Sequence, residues 1–292
     1  MPHHDRRRVL LIHNRNAGGG SHRRGDLVDL LECAGYGVAH ADADDGLAGA
    51  MAAAAADLLV VAGGDGTVAR VAALARPDGP PIAILPVGTA NNIAHSLGLG
   101  RQPLDALVAG WRDARSRPFY PIDACGPWGR RRLIEGIGLG AFEAALATAP
   151  KAASLAEARE QIARMALAAP GEELLLQGGG EAIAGRFVLL EVMTIPWLGP
   201  HLSLAAADPF ARGFAICVVE DDPSHRQALA RWLVAPDAVG EAPVAVRFTA
   251  RATITGTFCR VRLDGKLWAA EAAAEARIDL VGARDPLPFL VP

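Results

Sequence analysis

The sequence predicts two domains: an N-terminal α/β domain on a parallel sheet and a C-terminal, mainly antiparallel β domain with helical insertions. Three observations predict it. Up to about residue 120, short apolar runs alternate with helix-length amphipathic stretches, the pattern of a parallel sheet covered on both faces. After Pro121, strand-like runs follow one another with turn residues between them. The 292 residues, 51% of them hydrophobic, suffice for two cores and argue against disorder.

In order, Arg8–His13 reads as a strand, Leu27–Ala34 as a helix stopped by Gly35, and Gly37–His40 as a short strand. A helix is expected over Leu47–Ala56, a strand over Asp57–Ala62 and a helix over Val68–Ala75. Ile82–Leu85 reads as a strand, Thr89–Leu97 as a short helix stopped by Gly98, and Pro103–Trp111 as a helix. In the second half, strands are expected at Leu133–Gly138, Arg186–Met193, Phe214–Val219, Val244–Phe248, Thr253–Thr257 and Cys259–Leu263. Ala156–Ala168 and Arg226–Val234 read as helices inserted among them. The side chains of Phe142, Met165, Trp197 and Phe214 read as core.

Composition excludes several classes. A net charge of −3 offers no positive field for a general nucleic-acid binder. Cys33, Cys125, Cys217 and Cys259 are far apart and form no C-x-x-C pair, which suits reduced thiols in an intracellular protein. The histidines form no ligand spacing, and His3 and His4 read as solvated. Val9–Ile12 is too short for a leader h-region, and the alanine tract Ala48–Ala56 reads as a packed helix, not a membrane span. A lipid substrate would therefore be met from the membrane surface.

Three turns carry the chemistry. Asp57–Ala62 empties into Gly63-Gly64-Asp65-Gly66-Thr67, whose glycines let the backbone approach an anion and whose Thr67 is placed to cap the next helix. The first strand runs into Asn14-Arg15-Asn16-Ala17-Gly18-Gly19-Gly20, a glycine-rich turn that is neither a Walker A loop nor G-x-G-x-x-G. Arg15, Arg23 and Arg24 either neutralise phosphate or solvate a surface. The third turn, Pro86-Val87-Gly88-Thr89-Ala90-Asn91-Asn92, offers backbone access at Gly88 and a cap at Thr89; alone, it is also a plain helix start. Three such turns on one parallel sheet would share its carboxyl edge, where open α/β sheets bind ligands. In Val261-Arg262-Leu263-Asp264-Gly265-Lys266, Asp264-Gly265 reads as a hairpin turn, and Asp264 is also a candidate proton acceptor.

Together these segments resemble the diacylglycerol kinase catalytic-domain family, which includes bacterial lipid kinases and sphingosine kinases. Gly63–Thr67 matches its nucleotide motif, Pro86–Asn91 looks like its P-x-G-T-x-N turn, Asn14–Gly20 is similar to its first loop, and Glu191–Pro200 is similar to a second-domain segment of bacterial members. The resemblance implies a Rossmann-like α/β nucleotide domain over residues 1–121 and a β-sandwich-like lipid domain over 122–277, with residues from about 278 returning to the first. ATP would lie in the cleft between them, with Mg²⁺. Nucleotide contacts would fall on Asn14, Gly18, Gly64, Asp65, Gly66, Thr67 and Thr89, and Arg15, Asn16, Ala17 and Asn91 are read as cofactor-binding beside them. Asp264 matches the proton acceptor, and Asp65 would organise the phosphates or metal.

The departures are Arg15 for a usual proline, Val68-Ala69-Arg70 where the family often has an Asn-Glu pair after the threonine, Asn92 for a frequent aspartate, Asp208–Gly213 without the acid of the structural magnesium region, and Lys266 for the glutamate of Asp-Gly-Glu. The structural metal site is therefore not carried over, and Lys266 is expected to pair with Asp264 or with a phosphate. The resulting expectation is an ATP-dependent lipid kinase of phospholipid metabolism acting on a diacylglycerol-like or sphingoid-like hydroxyl. It would be cytoplasmic, peripheral to the inner face of the membrane, able to form a homodimer, and without a nucleic-acid partner. The alternatives are a catalytically impaired nucleotide- or lipid-binding protein of the same fold, and a kinase for a soluble acceptor such as NAD.

Overall fold

The computed structural model describes residues 6–100, 102–148, 152 and 154–291. His3 and His4 lie outside the described residues. The chain forms two compact units, one of residues 1–119 and 285–292, the other of residues 120–284.

The first unit is a six-stranded sheet in the order β2-β1-β3-β4-β17-β5. Its strands are β1 (Arg8–His13), β2 (Gly37–Asp42), β3 (Leu58–Gly63), β4 (Ile82–Pro86), β5 (Arg115–Phe119) and β17 (Leu287–Val291). The first four run parallel, β17 is parallel to β4, and β5 is antiparallel to β17. Every residue of β3 is buried, as a central parallel strand covered on both faces requires.

The helices are α1 (Arg24–Cys33), α2 (Leu47–Ala53), α3 (Asp65–Leu74), α4 (Asn92–Ser96) and α5 (Leu104–Gly110). Leu27 and Leu31 of α1, Val108 of α5 and Trp111 pack on Val9, Leu11, Val60 and Leu85. Gly35, at φ +90°, ends α1, and the Tyr36 amide donates back to the Leu31 carbonyl. Helix α2 stops before the expected Ala56 because Leu47 alone is buried on it, and Ala54 is already extended toward β3. Helix α3 starts at Asp65 rather than at Val68, because Gly64 is the extended residue before it.

The second unit contains β6 (Ile122–Gly126), β7 (Gly129–Leu133), β8 (Gly136–Gly140), β9 (Glu172–Gly178), β10 (Glu181–Met193), β11 (Trp197–Leu198), β12 (Leu202–Ser203), β13 (Phe214–Glu220), β14 (Ala245–Thr249), β15 (Arg251–Leu263) and β16 (Lys266–Gly282). Nine of these form one antiparallel sheet, ordered β14-β13-β10-β8-β15-β16-β6-β7, with β9 also pairing β10 and β15. Helices α6 (Ala141–Thr148), α7 (Leu155–Ala168) and α8 (Pro223–Val234) pack on one face through Phe142, Ile162, Trp232 and Leu233; a short α9 (Pro236–Val239) follows. The opposite face carries a second buried cluster that includes Ile137, Leu190, Phe214, Ile254, Val261 and Ile278. Every member of that cluster belongs to a strand, so the sheet curls over its own face, which is the sandwich-like closure.

Three features differ from the pattern reading. The expected strand Leu133–Gly138 is two strands, interrupted at Ile134-Glu135. The runs Thr253–Thr257 and Cys259–Leu263 are one strand, β15, with a register shift between Phe258 and Arg260. Ile278 lies within β16, paired with Ile254, and the strand that joins the first sheet is β17. Among the residues expected in the core, Phe142 and Phe214 are buried, whereas Met165 and Trp197 are half-buried.

Two outcomes are expected. Phe289 is fully buried between β4 and β5 and stacks on Phe119 at 5.0 Å, so Phe289→Ala should cost about 3–5 kcal/mol in denaturant unfolding. Burial pushes the Cys217 thiol on β13 up to about 12, so in native protein at pH 8 it should resist alkylation while the exposed Cys33 and Cys125 label, as peptide mass mapping will show.

Candidate functional site

Strands β1, β3 and β4 each end in a glycine-bearing turn at the carboxyl edge of the first sheet, and these turns touch one another. The Asn14 amide donates to Thr67 Oγ1 at 3.1 Å, tying the first turn to the second. A Cβ on Gly18 would fall on the Val87 carbonyl, so the first turn also meets the third. A Cβ on Gly64 would lie 3.2 Å from the Gly88 Cα, and one on Gly88 would collide with Gly64. Asp65 Oδ1 accepts the Ile93 N–H at 2.9 Å, which ties the start of α3 to α4. The strand order reverses between β1 and β3, the switch point at which such sheets bind ligands.

Helix α3 directs its first N–H groups into this edge, and Gly66 in its first turn is exposed. The expected caps are not caps. Thr67 sits inside the first turn of α3, buried, with its hydroxyl held by Asn14. Thr89 is exposed, and the residue before α4 is Asn91 at φ +53°, with no side-chain cap bond. The Asn91 side chain stitches its own turn, accepting from the Gly88 N–H at 2.9 Å and donating to the Gly88 carbonyl at 2.8 Å. Asn14 Oδ1 likewise accepts the Asn16 N–H. The side chains of Asn14 and Asn91 thus fix the loops.

Arg15 is exposed and lies 3.5 Å from Asp42, while Ala17 is half-buried and Gly18 exposed. Arg15 borders a depression of about 360 Å³ shared with His13, His22, Arg23, Arg24 and Asp42. His13 is buried, which lowers its pKa against the opposing pull of the His22 carbonyl and Asp42. The sequence reading named Arg15, Arg23 and Arg24 but missed His13 and Asp42. These two close adjacent parallel strands in register, a signal visible once β1 and β2 are paired.

In the second unit, Asp264-Gly265 is the two-residue link between β15 and β16. Asp264 has φ +49° and is 7% exposed. Its Oδ1 accepts the N–H groups of Ile134, Glu135 and Gly136 at 3.2, 2.9 and 3.0 Å. These amides are turned away from a strand ladder, which is why Leu133–Gly138 is interrupted. Thr194 fixes the same segment through the Ile134 and Glu135 carbonyls. Burial pushes the Asp264 carboxyl up, against the opposing pull of the three amides and Arg262.

The expected pairing of Lys266 with Asp264 is replaced. Lys266 is exposed, and the cation joined to this residue is Arg262, whose Nη1 donates to the Asp264 carbonyl. Arg262 Nη2 also pairs with Glu191, which is wholly buried, and Arg260 pairs with the buried Glu143 at 2.7 Å. Burial pushes both glutamates up. The reading missed this pairing, although one carboxylate in Leu189-Leu190-Glu191-Val192 and one guanidinium in Val261-Arg262-Leu263 signal it.

Among the described residues, no group of three or more His, Cys, Asp or Glu side chains is disposed to hold a metal ion, and no helix is long and apolar enough to cross a membrane. A magnesium ion bound mainly by nucleotide phosphates requires only one or two carboxylates from the protein, and Asp65 and Asp42 lie at this edge.

Residues 8–119 match the family model of the diacylglycerol kinase catalytic domain. No curated protein matches the chain. A solved structure described as a diacylglycerol kinase from Bacillus anthracis str. Sterne is 20% identical, with a TM-score of 0.69, covering 98% of this chain and 97% of that one. Two further structures from that strain, with the same kinase name, have TM-scores of 0.72 at 20% and 19% identity; each covers 98% of this chain, and 97% and 98% of their own. These likenesses extend the shared fold over both units.

If the glycine contact sets the turn spacing, Gly88→Ala should lower stability by about 1–3 kcal/mol, read by thermal unfolding, whereas Gly66→Ala should be milder because a Cβ there meets no neighbour and the backbone is helical. Over residues 8–119, most of its first unit, the chain is thus similar to the catalytic domain of diacylglycerol kinases.

Proposed function

We propose that the protein is an ATP-dependent lipid kinase that moves the γ-phosphate of ATP to a lipid hydroxyl of diacylglycerol-like or sphingoid-like type. The observation that carries this reading is the contact of three βα turns through Gly18, Gly64 and Gly88 at the α3 N-terminus. A side-chain-free edge with free amides suits a polyphosphate. Main-chain amides of Gly64–Gly66 and the first loop bind the phosphates. Asn14, Thr67 and Asn91 hold the loops in shape, and Arg15, Thr89, Asn16 and Ala17 border the nucleotide.

Asp264 accepts the proton of the acceptor hydroxyl as its oxygen bonds to the γ-phosphorus. The bond from that phosphorus to the bridging oxygen breaks, and ADP leaves with the electron pair. Oδ1 accepts three main-chain amides, and Oδ2, which receives the longer 3.4 Å bond from the Ile134 N–H, is the oxygen that takes the proton. A magnesium ion bound with the nucleotide would neutralise charge on the phosphate oxygens, and Asp65 would be its carboxylate partner. The lipid is reached by peripheral contact with the cytoplasmic face of the membrane.

The test is labelled ATP with a lipid extract, read by the mass of the phosphorylated product. Asp264→Asn and Asp65→Asn should each lower transfer by about 10²–10⁴-fold with the fold retained, because an amide oxygen still accepts the same N–H bonds. Undiminished transfer by Asp264→Asn removes that residue from the mechanism. Nucleotide binding without transfer to any lipid favours a binding protein of the same fold, and transfer to NAD identifies a soluble acceptor.

A further inference from the structure

We infer that Arg262 is a positioning residue, which bridges the Glu191 carboxylate to the Asp264 main-chain carbonyl and thereby fixes where the Asp264 carboxylate points. The inference rests on the proposed acceptor role of Asp264 and names what aims it.

The register shows how the bridge is built. Gly138 on β8 pairs with Glu191 on β10 on one side and with Arg262 on β15 on the other. The three residues therefore lie abreast across three strands. Glu191 stands between Leu190 and Val192 of the strand-only cluster, so it projects to the helix-covered face. Arg262 follows Val261 of that cluster and projects to the same face. The missing side chain at Gly138 is the space over which carboxylate and guanidinium close: a Cβ there would collide with Glu191 Oε1 and Oε2. Arg262 Nη2 meets Glu191 Oε2 at 2.5 Å, and both side chains are buried, at 6% and 0% exposure. Its Nη1 reaches forward to the Asp264 carbonyl, on a residue with φ +49° that a non-glycine side chain seldom adopts.

Asp264 is thus held at both main chain and side chain, and its N–H donates to the Gly136 carbonyl at 2.8 Å. Its carbonyl is fixed by Arg262, and its Oδ1 by the amides of residues 134–136. These bonds restrain rotation of the carboxylate, whose Oδ2 also accepts the Ile134 N–H at 3.4 Å. A buried ion pair is a costly device for stability alone, since apolar residues of similar volume generally serve as well. Positioning gives it a purpose that such residues could not fulfil. The charged groups around Asp264 are Arg262 and Arg260 on β15, Glu191 on β10, Glu143 on α6, Glu135 in the bonded segment and the exposed Lys266 on β16.

The experiment measures ATP-dependent phosphorylation of dispersed diacylglycerol across pH for wild type, Arg262→Lys and the double variant Arg262→Met with Glu191→Met. Arg262→Lys should lose about tenfold to a hundredfold in kcat with the KM for ATP within about twofold. The double variant should show a similar loss, with the acid limb of its kcat profile moved to higher pH because the nearest positive charge is gone. Wild-type kcat and an unmoved acid limb in the double variant overturn the inference, whatever its melting temperature. If the double variant fails to fold, the kcat of Arg262→Lys decides alone. If wild type phosphorylates no lipid, the proposed function fails instead. The Asp264 carboxyl is then titrated by ¹³C NMR, with its resonance assigned by loss in Asp264→Asn. A raised midpoint without Arg262 supports the inference, and an unchanged midpoint overturns it.

Discussion

Gly64 and Gly88 touch through atoms that any other residue would cover, and the first unit is arranged around that contact. Adjacent parallel strands stand about 4.8 Å apart, so the turns that follow them approach this closely only where side chains are absent. Because the turns close up, the Asn14 amide reaches the Thr67 hydroxyl and the Asp65 carboxylate reaches the Ile93 amide. Asn14, Asp65, Thr67 and Asn91 thus have tasks inside the loops. The backbone beside them cannot change charge and needs no reorganisation when an anion arrives.

The second unit solves a comparable problem with the opposite materials. Its Asp264 is a buried carboxylate, and three consecutive amides replace the water it has lost. Those amides come from a chain segment that would otherwise continue a strand. The interruption between β7 and β8 and the side chain of Asp264 are therefore one feature seen from two sides. Thr194, on the neighbouring segment, holds the carbonyls of the same peptide units, so both faces of the interruption are satisfied.

Much of the first unit was legible in the sequence. Apolar runs bounded by glycine gave β1 with its bounds and β3 and β4 to within a residue, because a strand buried on both faces leaves little freedom of composition. The turns were legible as glycine clusters, but the tasks of their side chains were not. Thr67 looked like a cap because the helix was read to begin after it, and the start depends on the extended Gly64, which no periodicity reports. In the second unit, β16 was hidden by its alanines and exposed glutamates, which carry no strand alternation; pairing with β15 along most of its length holds it. The Glu191–Arg262 pair spans 71 positions and becomes visible only once the register through Gly138 is known.

The placement of β17 bears on how the polypeptide acquires its shape. Leu287–Val291 is inserted between β4 and β5, so the central sheet of the first unit lacks an interior member until residues made some 170 positions after β5 have emerged. On the ribosome, β4 and β5 must wait with open hydrogen-bonding edges while the whole second unit is synthesised. Nascent chains halted before residue 287 would expose those edges, which makes them natural clients for chaperones and for proteases that survey incomplete products.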